Sequence, residues 1–206
     1  MIILKVKAAV AHLRRCDPIL AEIVKRVGPC ELTVLQPNFE TLARSITFQQ
    51  LHGKAASTIF ARVQKAVGRS FTATAFLKAD EAALRACGLS RQKLASLIDL
   101  AEHVVSRKIS FRKLPEMENE AVVDALTQVR GIGEWTAQIF LMFALQRPNV
   151  LPCGDFGVRN AVRQAYGLKE LPKPDELRAI AKPWHPYCTA ASWYLWRSLD
   201  GSANME

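Results

Sequence analysis

The stretch LTQVRGIGEWTAQIF, Leu126 to Phe140, holds the residues whose types and spacing suggest chemistry most directly. An amphipathic segment leads into Val129-Arg130-Gly131-Ile132-Gly133, and a strongly apolar segment follows at once. Glycines at alternate positions let the backbone turn sharply and let a ligand approach without meeting a Cβ. The free N–H groups that open the second helix, and its positive dipole end, would face the same way as the loop amides. That arrangement suits a phosphate oxygen. Ile132 between the glycines is expected to plug into the groove of the two helices. An ordinary tight helix–helix turn explains the same spacing, because a lone G-x-G is common by chance. Both readings stand on these residues alone.

Charge favours a polyanionic partner. The 206 residues carry 28 Lys and Arg against 19 Asp and Glu, a formal net charge of +9. A basic globule of this kind suggests nucleic acid, although a merely basic protein would have the same balance. Five scattered cysteines, Cys16, Cys30, Cys87, Cys153 and Cys188, contain no C-x-x-C pair. They argue against a disulfide framework, a zinc site and an iron–sulfur cluster. The histidines His12, His52, His103 and His185 form no ligand pair at helical spacing. The longest apolar run, Ile139 to Leu145, is too short to span a bilayer. The start, MIILKVKAAV, has no signal-peptide pattern. The expectation is a soluble, intracellular protein with no membrane partner.

The elements that must position these groups read almost entirely as helices. Asp17 caps a helix through Val27, and Asn38 caps Phe39 to Gln50. Helices follow over Lys54–Val67, from Asp80 to Gly88, and from Ser90 past Val105. Others run from Asn119 to Val129, from the glycine turn to Leu145, from Asp155 to Tyr166, from Pro174 to Ala181 and from Thr189 to Leu199. Period-two alternation is confined to MIILKVKAA, a short candidate strand. The chain is expected to be one all-α domain over residues 1–206, with two helical lobes, a helix-hairpin-helix motif and a cleft between the lobes.

Four stretches together are similar to the helix-hairpin-helix (HhH-GPD) DNA glycosylase superfamily, in its DNA-3-methyladenine glycosylase II branch. They are L-T-Q-V-R-G-I-G-E-W-T-A, V-L-P-C-G-D-F-G-V-R-N-A, S-I-T-F-Q-Q-L-H-G-K-A-A and P-W-H-P-Y-C-T-A-A-S-W-Y-L-W-R. They span roughly residues 40 to 200 in the family's order. Three positions depart from the pattern: Cys188 for an arginine, His52 for a serine and Arg130 for a frequent proline.

The resemblance implies a base-excision repair hydrolase that flips alkylated purines, such as 3-methyladenine, from double-stranded DNA and cuts the N-glycosidic bond. It makes Asp155 the catalytic carboxylate. Read by itself, Asp155 is a helix N-cap, and the two roles are compatible. Trp135, Phe156, Trp196 and Phe48 are implied at the base pocket, with Trp193 and Tyr194 as weaker candidates and Trp184 structural. For any one of these aromatics, a place in the core is the better reading. Gln50 and Leu51 would form the wedge that fills the emptied stack. Lys54, Arg130, Gly131, Gly133 and Thr136 would meet the DNA strand.

Bifunctional relatives carry a lysine two residues past the second hairpin glycine, where this chain has Trp135, so hydrolysis without lyase activity is implied. No cofactor is required. The carbonyls of Thr127, Val129 and Gly131 can hold a structural monovalent cation, Na+ or K+. A monomer is expected. Two rivals remain: a non-catalytic DNA-backbone clamp, and a glycosylase for mismatched or oxidised bases.

Overall fold

A computed structural model describes residues 4–51 and 53–200. His52, one of the departures noted above, lies outside the described residues. The helices are α1 (Val6–Cys16), α2 (Pro18–Val27), α3 (Phe39–Phe48), α4 (Gly53–Val67), α5 (Ala73–Lys78) and α6 (Glu81–Ala86). They continue with α7 (Arg91–Val105), α8 (Asn119–Thr127), α9 (Glu134–Phe143), α10 (Phe156–Ala165), α11 (Pro174–Ile180) and α12 (Cys188–Asp200). No strand occurs among the described residues, so the fold is all-α. None of the described helices is long and apolar enough to cross a membrane.

Half of these twelve helices begin at a side-chain cap that leaves little choice about where the helix starts. Asp17 accepts from the N–H groups of Ile19 and Leu20, with Pro18 preset for the first turn. Asn38 accepts from Thr41 N, Asp80 from Ala83 N, and Ser90 from Lys93 N. The expected strand at the N-terminus is corrected. Residues 1–3 lie outside the described ones, Leu4 and Lys5 precede α1 without forming a strand, and Val6 onward enters α1, where Ala9 and Leu13 at i, i+4 are fully buried. Helix α5 was not expected: six residues are too few for periodicity to register, and its start rests on Thr72 accepting from Ala75 N.

The chain divides into two compact units. One comprises residues 1–34 and 141–206, the other residues 35–140. The first packs Leu13, Leu20, Ile23, Val158, Val162 and Leu177 with Trp184 and Tyr194. In the second, Leu42, Ile46, Leu97, Leu100 and Leu126 are buried, and Phe39, Phe60, Phe71 and Phe76 meet ring against ring. Each unit therefore carries its own core, and each holds two of the four stretches singled out in the sequence.

Candidate functional site

The hairpin lies in the second unit. Helix α8 ends at Thr127, and the chain turns through bonds from Val129 N to Leu126 O and from Ile132 N to Val129 O before α9 begins. Gly131 has φ +80, and a Cβ there would lie 2.6 Å from Ser96 Oγ. Glycine is needed at that position on both counts. Ile132 is buried, 4 % exposed, as a plug between the helices would be. A Cβ on Gly133 would meet nothing within 4 Å. Arg130 is exposed, and its backbone N–H donates to the Asp99 carboxylate at 2.7 Å.

A second turn follows α3. Gln50 takes φ +56, unusual for a side chain of that kind, and Leu51 beside it is 40 % exposed. Lys54 is exposed in the first turn of α4. The two turns are tied together: Gln49 Nε2 donates to Gly131 O at 2.9 Å and more weakly to Thr136 Oγ1 at 3.4 Å. From α7, Lys93 Nζ donates to the carbonyls of Thr47 and Gln49, each at 2.7 Å. These oxygens belong to the last turn of α3, which has no later N–H groups to take them. Burial holds the Lys93 ammonium below the usual lysine range. Thr136, expected at the DNA strand, is 5 % exposed and turns its hydroxyl inward to Gln49, so its side chain serves this tie.

Phe48 and Trp135, both inferred from sequence, line one cavity of about 580 Å³ with Arg44, Gln49, Thr136 and Ile139. The Arg44 guanidinium lies over the Phe48 ring, 3.9 Å from its centroid. The indole of Trp135 is 49 % exposed. At the hairpin, Val129 O accepts from Ile132 N, and Gly131 O from Gln49. Each carbonyl keeps a second lone pair, and hard oxygen donors of this kind fit an alkali cation.

Asp155 lies in the first unit, as the N-cap of α10. Its Oδ1 accepts from Val158 N at 2.7 Å and from the Trp196 indole N–H at 2.8 Å. Trp196 is half-buried and stacks on Phe143 at 6.3 Å. Gly157 makes the approach feasible: a Cβ there would lie 3.0 Å from the Trp196 ring and 3.1 Å from Asp155 Oδ1. Phe156 is 66 % exposed and lines a shallow hollow with Asn160, Arg163 and Lys169.

Two aromatic candidates are corrected. Trp193 and Tyr194 are 6 % and 0 % exposed, on the inner side of α12, and the Tyr194 hydroxyl donates to Gly28 O. They belong to the core, as Trp184 does. Cys188 opens α12 in the same interior, its thiol pushed up to about 12 by burial, with Cys153 adding to the shift. None of the five cysteines, all among the described residues, forms a disulfide, and no cluster of metal-ligating side chains occurs among the described residues.

Sequence reasoning passed over Gly157, Lys93, Ser96 and Asp99. Only the D-F-G triplet carried a signal, since a glycine inside the first turn of a helix invites a steric reason.

A helix, a glycine turn, a second helix and a capped carboxylate further along the chain are the parts of a known class of repair protein. The family model for HhH-GPD superfamily base excision DNA repair proteins matches residues 43–186, and the chain belongs to that family. Among its relatives, DNA-3-methyladenine glycosylase 1 of Schizosaccharomyces pombe is 34 % identical over 203 residues, covering 96 % of this chain and 89 % of that protein. The structure of an S. pombe 3-methyladenine DNA glycosylase in complex with abasic DNA superposes with a TM-score of 0.81 at 34 % identity, covering 94 % of this chain and 97 % of that one. A DNA-3-methyladenine glycosidase from Bacillus halodurans gives a TM-score of 0.86 at 34 % identity, covering 96 % and 91 %. The chain is thus a base-excision repair DNA glycosylase.

Proposed function

We propose that this glycosylase releases alkylated purines, 3-methyladenine among them, from double-stranded DNA by hydrolysis alone. The names of its relatives support the substrate class. The observation that carries the chemistry is the double hydrogen bond on Asp155 Oδ1, from Val158 N and from Trp196.

Breaking the N-glycosidic bond leaves positive charge on C1′ and on the ring oxygen of the sugar. A carboxylate fixed in direction stabilises that charge more in the transition state than in the ground state. The base leaves with the bonding electron pair, and water supplies the new oxygen on C1′, its lost proton being accepted by the carboxylate or by solvent. An alkylated purine already carries positive charge, so it needs no strong acid to leave. Trp135 and Phe48 in one unit, and Phe156 and Trp196 in the other, offer aromatic surface for an extruded base.

Gln50 and Leu51 fill the gap in the stack. Arg130, Lys54 and the amides around Gly131 and Gly133 meet phosphates. A monovalent cation would be held by the carbonyls of Thr127, Val129 and Gly131 and would add positive charge toward the strand. The protein acts as a monomer inside the cell.

The test is incubation of the protein with methylated duplex DNA and identification of the freed bases, with Asp155→Asn alongside. The expected result is release by the natural protein and release about 10³-fold slower by the variant. Near-full release by Asp155→Asn overturns the assignment. Because Trp135 stands where a lyase needs an amine, borohydride should trap no enzyme–DNA adduct. A trapped adduct would contradict the hydrolytic mechanism.

A further inference from the structure

The face of α7 that carries Lys93, Ser96 and Asp99 touches both turns of the second unit. Lys93 holds the carbonyls of Thr47 and Gln49 at the end of α3. One turn on, Ser96 fills the space under Gly131, where a Cβ would come within 2.6 Å of its hydroxyl. Another turn on, Asp99 takes the Arg130 N–H at 2.7 Å, while the His103 ring lies 3.3 Å from the other oxygen of that carboxylate. Gln49 closes the circuit by donating to Gly131 O. Residues three apart on a helix stack along one face, so the rise of α7 sets the spacing between the Gln50–Leu51 turn and the hairpin.

We infer that Lys93 is a positioning residue for base flipping: its ammonium locks the end of α3 so that Leu51 meets the duplex at a fixed distance from the strand gripped by the hairpin. This rests on the reading of Gln50–Leu51 as the wedge. No part of the bond-breaking step passes through Lys93. Its side chain is half-buried and does not line the cavity at Trp135. Its effect should therefore fall on extrusion of the base and not on hydrolysis. Extrusion costs least when the target is already unpaired, which gives the role its own signature.

The experiment compares single-turnover excision of 7-methylguanine from a paired duplex site and from the same strand with the target in an unpaired bulge. Lys93→Met keeps the stem of the side chain and removes the cation. It should slow excision at the paired site about 10- to 100-fold, the scale of a misplacement near 1 Å, and change the bulge rate about threefold or less. Lys93→Arg, which restores charge and donors, should recover most of the paired-site rate. Equal loss at both sites, or no loss at either, overturns the positioning role. Should Lys93→Met fail to fold, Lys93→Gln, which keeps a polar tip but has neither the charge nor the reach to hold both carbonyls, carries the same expectation.

Leu51→Ala reports on the underlying reading, and it too should be selective for the paired site. A natural rate for Leu51→Ala overturns the wedge itself. A selective Leu51→Ala beside an unselective Lys93→Met overturns only the inference drawn for Lys93.

Discussion

Asp17 and Asp155 are built from the same parts. Each is a helix N-cap in extended conformation, and each accepts an indole N–H at 2.8 Å, from Trp184 and Trp196 respectively. Asp17 also takes the Tyr166 hydroxyl at 2.5 Å and the amides of Ile19 and Leu20, and it is 6 % exposed. Asp155 is only half-buried and is followed by the exposed ring of Phe156. The same cap and indole thus give two outcomes. Where donors surround a buried carboxylate, the group joins distant parts of the chain and serves stability. Where the carboxylate is held in direction but reachable, it can face a developing charge.

The widest separation between them should come from asparagine at each position. Asp155→Asn should lower base release about 10³-fold, the scale of losing a preorganised charge, while the thermal midpoint moves by about 2 °C or less. Asp17→Asn turns an amide N–H₂ toward groups that are themselves donors, in a buried network. A loss of about 3 kcal/mol in urea unfolding is expected, with excision per folded molecule unchanged. If both variants lost activity equally and neither lost stability, the division between the two sites would not stand.

The division could not be read from spacing. Asp17 before Pro18 and Asp155 before Phe156 are both good caps, and local chemistry stops there. Burial by Tyr166 and Trp184, which lie 149 and 167 residues away, is what separates them. The resemblance to a family singled out Asp155, but it did not reveal Trp196 as the donor to that carboxylate or Gly157 as the space between them.

The helices were legible because caps and 3.6-residue periodicity act within a few neighbours. Helix α5 escaped because six residues carry too little pattern. Thr136 shows a related limit: its place beside the hairpin is evident in the sequence, but the direction of its hydroxyl depends on Gln49, 87 residues away.

The tryptophans sharpen the comparison on a smaller scale. Trp184→Phe removes a buried donor from Asp17 and should cost about 2 kcal/mol of stability with little change in excision. Trp196→Phe keeps a ring stacked near Phe143 but frees the Asp155 carboxylate to turn. It should slow excision about tenfold and leave the urea midpoint almost unchanged. Gly157→Ala works from the other side. Its Cβ would meet the Trp196 ring at 3.0 Å, so the indole must give by a few tenths of an ångström and the bond to Asp155 lengthens. A loss of about threefold, smaller than that of Trp196→Phe, fits a bond that is stretched and not deleted. The reverse order would mean that the glycine serves the helix and not the carboxylate.

The smallest effect is a pH dependence that only the Asp17 cluster should show. Burial raises the Tyr166 hydroxyl above its ordinary value of 10, and the hydrogen bond to Asp17 and the Asp17 charge push it further in the same direction. The folded state therefore favours the neutral phenol. The stability this brings is complete below pH 10 and is lost as the pH climbs past 10 toward the folded value. Tyr166→Phe should remove that slope at the expense of about 1 kcal/mol near neutral pH. Urea unfolding at pH 8 and at pH 10.5 measures both. Tyr194, pushed up to about 12 by burial, adds a slope of the same sign in either protein, so the difference between the two isolates Tyr166. An unchanged slope in Tyr166→Phe would mean that the Asp17 cluster does not hold the phenol in its neutral form.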